Sequence, residues 1–238
     1  MIDDNSQSIG ALVTNDGAAH FRVWAPLIDH VAVRLLGSAR SIRLEPTGRG
    51  YHEAVVGDVL PGELYFFQLA GGGERPDPAS RCQPRGVHGP SEVVDLSFHW
   101  EDRGWSGIPL ADYVIYELHV GTFTAQGTFE GAMPFLDYLA DIGVSAVELM
   151  PVAQFPGERN WGYDGVYPFA AQHSYGGPSG LKTLVNACHQ RGLAVILDVV
   201  YNHLGPEGNY LSDFAPYFTD AYKSPWGRAI NFDGPYSD

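Results

Sequence analysis

Residues 194–203 read AVILDVVYNH, and this stretch decides how the rest of the chain is read. It is an apolar run interrupted by one carboxylate, Asp198, and followed by Asn202 and His203. Its first seven residues, 194–200 (AVILDVV), predict a strand buried on both faces, as parallel sheets require. Working outward, VIYEL (114–118) and AVELM (146–150) have the same character. Between these two runs, 129–142 has helical spacing, with Phe135, Leu136, Leu139 and Ile142 on one side and Gly143 at its end. Residues 181–191 predict a second helix, closed by Gly192. Strand, helix, strand, helix, strand predicts a parallel sheet; hydropathy alone leaves a doubly wound sheet and a barrel both open. No GxGxxG follows the first strand, so a dinucleotide site has little support.

The first hundred residues have another rhythm. Short strands are predicted at 21–25 (FRVWA), 31–36, 51–56 and 64–69, separated by turns rich in Gly, Pro and Asp. This predicts an immunoglobulin-like β-sandwich. AGGGERPDPAS (70–80) reads as a turn-rich loop, and a boundary is placed near 100–112. The sandwich is therefore expected over 1–100 and the parallel unit over 112–238.

Composition narrows the function classes. The 238 residues are 45% hydrophobic and 18% charged, which suits a globular protein with a substantial core. Twenty-eight acidic against 14 basic residues give a net charge of -14. Nucleic acid and anionic membrane surfaces are poor partners for such a chain. Cys82 and Cys188 are far apart and form neither a disulfide framework nor a zinc spacing. No cofactor or metal is expected. The N-terminal sequence lacks the pattern of a signal peptide, and no run is long enough to span a membrane. A cytoplasmic protein is expected.

Candidate chemistry collects at the predicted strand ends, where barrels and open parallel sheets both place ligands. Asp198 in an apolar strand needs a partner, which is a structural hydrogen bond, a metal or a ligand. Asn202 and His203 are near enough to share its site; His203 either donates to a sugar hydroxyl or is satisfied by backbone. His119, after the first strand, is a candidate second wall. The loop WGYDG (161–165) combines Trp161, Tyr163 and Asp164. Aromatic faces there would pack on sugar rings and carboxylates would accept hydroxyl protons, or the aromatics would simply anchor the loop. The aromatic-rich segment 201–238, which includes Trp226, suits a groove wall or a self-packed lid. Glycosidases use two carboxylates, and Asp164, Asp198, Glu117 and Glu148 are the candidates for such a pair.

DVVYNH (198–203) resembles the first conserved motif of the α-amylase family, whose members share a (β/α)8 barrel. FRVWAP (21–26) resembles the start of the sandwich found in branching, debranching and trehalose-releasing members. YELHVGTFT (116–124) resembles their first barrel strand. ELMPVAQFPGERNWGYDGVYPFA (148–170), SYGG (174–177) and NHLGPEGNYL (202–211) are most similar to the trehalose-releasing members. The resemblance implies a retaining glycoside hydrolase that cleaves the α-1,4 bond next to the terminal trehalose of maltooligosyltrehalose. A branching enzyme and a non-catalytic glucan-binding remnant are the alternatives. It implies substrate-binding roles for Trp161, Tyr163, Asp164, Asp198, Asn202 and His203, with Tyr163 under the glucose and Asp198 organising the subsite. It implies that none of them is nucleophile or acid. Those belong to the fourth and fifth strands, so the expected fold is a sandwich followed by the first part of an incomplete TIM barrel. A polypeptide of these residues alone is expected to be inactive and poorly soluble.

Overall fold

The computed structural model describes residues 8–14, 17–71 and 73–237. Among the described residues, nine short strands come first. β1 (Gly10–Val13), β2 (Ala18–Trp24), β3 (Val31–Leu35), β4 (Ser41–Arg43) and β5 (Glu45–Gly48) are followed by β6 (Tyr51–Gly57), β7 (Leu64–Leu69), β8 (Gly73–Arg75) and β9 (Ser91–Glu92). They form two antiparallel sheets, β1-β2-β6-β5 and β4-β3-β7-β8, with β9 added to β7. Alternation explains the layering: Ala19, Phe21 and Val23 of β2 and Val31, Val33 and Leu35 of β3 enter one core with Tyr65, Phe67 and Leu69 of β7. The region expected as a plain loop at 70–80 contains β8, because Phe67, Gln68 and Leu69 hold its backbone in register.

One buried charge belongs to this half. Asp77 is fully buried, receives the Tyr65 hydroxyl at 2.6 Å and the Ala79 amide at 2.8 Å, and lies near Arg81. Desolvation outweighs these partners and pushes its carboxyl up to about 6.

The chain then changes character. β10 (Ile115–Leu118), β11 (Ala146–Leu149) and, after two short antiparallel strands β12 (Ala153–Gln154) and β13 (Tyr167–Ala171), β14 (Ala194–Leu197) carry the apolar runs. β10, β11 and β14 pair in parallel in that order, with Glu117 opposite Glu148 and Glu148 opposite Ile196. Helices cover one face: α1 (Val120–Phe123), α2 (Phe129–Ala132), α3 (Leu136–Asp141) and the long α4 (Gly177–His189). Leu136, Leu139, Leu184 and Cys188 pack there against Val147 and Leu149. The arrangement is a β-sandwich plus an unclosed part of a (β/α) barrel. Ile115, Leu197 and Val199 remain exposed. Among the described residues, no helix is long and apolar enough to cross a membrane.

Two local expectations are corrected. The helix over 129–142 is interrupted by a 3-10 turn at Met133–Phe135, where Pro134 removes an amide. The phase therefore slips: Leu136 and Leu139 are buried, whereas Phe135 and Ile142 are exposed. The third strand ends at Leu197, so Asp198 stands just beyond it, although its amide still donates to the Leu149 carbonyl at 2.9 Å. Pairing stops there because the next neighbour, Pro151, has no amide.

Thr128 caps α2, its hydroxyl accepting from the Gly131 amide at 3.0 Å. Thr128→Ala is expected to cost about 1 kcal/mol. A urea midpoint equal to that of the unaltered protein would show that the cap contributes nothing.

After β14 come the single turn α5 (Leu211–Phe214) and the hairpin β15 (Phe218–Ser224) and β16 (Gly227–Ile230). The aromatic segment expected as a wall or a lid is thus a helical turn and a hairpin.

Candidate functional site

Asp198 sits at the C-terminal end of β14, and its Oδ2 accepts the Tyr163 hydroxyl at 3.2 Å. Burial first, then the Asp198 carboxylate and the more distant Glu117 and Glu148, hold the Tyr163 phenol above its ordinary value. Tyr163 therefore keeps its proton and acts as a donor.

The loop carrying Tyr163 is shaped by Asn160. Its side-chain oxygen accepts the Gly162 amide at 2.7 Å, and its Nδ2 donates to Asp164 Oδ2 at 3.0 Å. This is an Asx turn, for which asparagine is well suited. Gly162 is required on two grounds: its φ is +101°, and a Cβ there would run into the Pro151 carbonyl. His119 braces the same loop from below, with Nε2 2.7 Å from the Asn160 carbonyl and Tyr175 3.3 Å away. It supports the cleft and does not line it.

His203 is buried. Its Nε2 lies 3.0 Å from the Tyr163 carbonyl, and since a carbonyl only accepts, Nε2 carries the proton. Its Nδ1 lies 3.0 Å from the Asn202 side chain. The ring stacks on Trp226 at 5.6 Å with an interplanar angle of 18°. One loop is thus tied to the other through a histidine. A second tie is the Gly205 amide, which donates to the Gly165 carbonyl at 2.9 Å. A Cβ on Gly205 would strike the Asp164 backbone. Gly205→Ala is expected to destabilise by about 1–3 kcal/mol through this overpacking. An unchanged melting temperature would mean that the two loops do not depend on this approach.

The outcome is a cleft of about 860 Å³ lined by Trp161, Tyr163, Asp164, Asp198, Asn202 and His203 together with Asn160 and Trp226. The six residues singled out from the sequence are gathered on one surface. Trp161 is 78% exposed. Asn160 was not singled out; its signal is an asparagine two residues before a glycine. Trp226 appeared only as one aromatic among many, and its place beside His203 is set by the hairpin. Glu117 and Glu148 stand in register on neighbouring strands outside the cleft lining. Among the described residues, no group of three His, Cys, Asp or Glu side chains is placed to hold a metal ion.

The cleft can bind a ring with one apolar face and several hydroxyls: Trp161, Tyr163 and Trp226 offer aromatic surface, and Asp164 and Asp198 offer acceptors. Malto-oligosyltrehalose trehalohydrolase of Saccharolobus solfataricus is 50% identical over 232 residues, covering 97% of this chain and 41% of the relative. The protein of the same name from Deinococcus radiodurans is 47% identical, covering 98% and 39%. A crystal structure of a putative α-amylase from Salmonella typhimurium superimposes with a TM-score of 0.91 at 44% identity, covering 97% of this chain and 39% of that one. The chain therefore spans about two fifths of the length of the curated relatives it matches. Residues 94–226 match the family model described as alpha amylase, catalytic domain, and the chain belongs to the α-amylase family.

Proposed function

We propose that these residues form one wall of the substrate site of a glycoside hydrolase. The substrate is maltooligosyltrehalose or a related α-glucan. The enzyme cleaves the α-1,4 bond next to the terminal trehalose, with retention, and releases trehalose. The observation that carries this reading is the gathering of Trp161, Tyr163, Asp164, Asp198, Asn202 and His203 around one cleft in a chain 50% identical to a trehalohydrolase.

In this reading Tyr163 lies under a glucose ring, and Trp161 extends the aromatic floor. Asp198 accepts from Tyr163 and from the sugar side, while Asn202 and His203 fix the loop that faces the ring. Asp164 is steadied by Asn160. We assign neither nucleophile nor acid to these residues. Asp164 and Asp198 are each engaged by a neighbour, and the relatives carry more than half of their length outside the matched region.

The reading also divides the chain into a sandwich over 1–100 and a barrel portion over 112–238, supported by the switch from antiparallel to parallel pairing between β9 and β10. We place the protein in the cytoplasm, supported by two buried, unpaired thiols, Cys82 and Cys188.

Product analysis tests the proposal. The full-length protein incubated with maltotriosyltrehalose is expected to yield free trehalose, and the 238-residue polypeptide alone is expected to yield none. Formation of α-1,6 branches without trehalose would reassign the protein as a branching enzyme. Trehalose release by the 238-residue polypeptide would place the catalytic pair within it.

A further inference from the structure

The segment that leaves the cleft after His203 does not run freely to the hairpin. Phe214 and Ala215 are buried in the core of the sandwich, far from the strands they follow in sequence. The Phe214 ring meets Phe67 of β7 edge-on at 6.2 Å, and Tyr217 meets Trp24 of β2 at 5.1 Å. Polar ties reinforce this. Arg75 of β8 pairs with Asp213 at 2.6 Å and lies over the Tyr210 ring at 4.9 Å. The Tyr210 hydroxyl is 2.7 Å from His88, and the Tyr167 hydroxyl reaches the carbonyls of Val87 and Gly208 at 3.0 and 3.1 Å. From this clamp the chain enters the hairpin directly: the Asn231 amide donates to the Tyr217 carbonyl at 2.9 Å, and its side chain donates to the Pro216 carbonyl at 3.2 Å.

His203 thus lies before the clamp, Trp226 lies beyond β15 in the turn of the hairpin that starts from the clamp, and the two rings stack on each other. We infer that the sandwich is a working part of the cleft: by holding residues 208–217 it sets the His203–Trp226 pair, with Phe214 and Asp213 as positioning residues. Neither residue lines the cleft. Their effect passes through the backbone on either side of them, so substrate binding is altered more than the chemical step. The inference rests on the reading of the cleft as a glucan site.

The test uses the full-length protein with Phe214→Ala, Phe214→Leu and Asp213→Asn. Two measurements are made on each: steady-state kinetics with maltotriosyltrehalose, and amide hydrogen exchange resolved by segment. For Phe214→Ala, KM is expected to rise about tenfold with kcat within about threefold. Exchange should accelerate across 202–230 and stay unchanged in α4. Phe214→Leu should restore most of both effects. Asp213→Asn weakens a partly exposed ion pair without opening a cavity, and is expected to fold and to show a smaller change in the same direction. It decides the matter if Phe214→Ala fails to fold.

Unchanged exchange across 202–230, or kcat and KM moving together while β2, β6 and β7 also loosen, would overturn the inference. If the unaltered protein releases no trehalose, the proposed activity fails, and the exchange measurement alone decides whether the sandwich holds the loop.

Discussion

Asp198→Asn in the full-length protein, on the proposed reading of the cleft, is expected to lower kcat/KM for trehalose release about a hundredfold, with little change in folding. Asparagine keeps the shape of aspartate and still accepts the Tyr163 hydroxyl that Asp198 receives at 3.2 Å. It removes the negative charge. Hydrogen bonds to a charged group contribute roughly 1.5–3 kcal/mol, about twice those between neutral groups. Glycoside hydrolysis also passes through a transition state with positive charge on the sugar ring, which a nearby carboxylate favours. Together these amount to about 3 kcal/mol of transition-state stabilisation, or about two powers of ten in rate. Tyr163→Phe removes only the hydroxyl and is expected to cost about tenfold or less. Initial rates with maltotriosyltrehalose measure both. Activity of Asp198→Asn within about twofold of the unaltered enzyme would take Asp198 out of the site.

The second large effect concerns stability, and its sign runs against the usual behaviour of a carboxylate. Asp77 has a folded value raised from the ordinary 3.8 to about 6 by burial. Below the lower value the group is neutral in both folded and unfolded chains. Between the two, the unfolded chain has released its proton and the folded one still holds it. Stability contributed by neutral Asp77 is therefore complete at low pH and is lost as pH rises through about 6. The gap corresponds to on the order of 3 kcal/mol. Asp77→Asn cannot titrate and retains an acceptor for the Ala79 amide. Relative to that variant, the unaltered protein is expected to lose about 3 kcal/mol between pH 4 and pH 7.5. Urea unfolding of both proteins at the two pH values measures the difference. A stability difference that stays flat with pH would mean that Asp77 is solvated or permanently paired.

What could be read in the sequence follows from how local each signal is. β3, β6 and β7 were legible because their own residues alternate, as in Val31, Val33 and Leu35. β5 was not: Glu45–Gly48 is fully exposed, contains proline and glycine, and is a strand only because β6 pairs with it. The 3-10 turn at Met133–Phe135 leaves no mark in the apolar spacing, which runs on through Pro134. In the site, Asp198, Asn202 and His203 stood out as polar groups at the end of an apolar run, and the loop of Trp161, Tyr163 and Asp164 as aromatics beside a carboxylate. That the two loops meet is written in contacts such as Gly205 against Asp164, which no spacing reveals. Trp226 sits on a hairpin with mostly exposed strands, so its sequence carries no periodic mark.

The insertion of Phe214 among the sandwich residues bears on the order of events during synthesis. Arg75 and Asp213 are separated by 138 positions, and Phe67 and Phe214 by a similar span. A ribosome adding about 5–20 residues per second exposes the nine early strands many seconds before their last core aromatic is made. Until then Phe67 has one edge in water. The first half of the chain must wait, incompletely packed, for the second half to supply its closing residue, and contacts this distant in sequence form slowly. Nascent-chain folding measured at successive lengths should therefore show the sandwich gaining resistance to unfolding in a step as residue 214 leaves the exit tunnel.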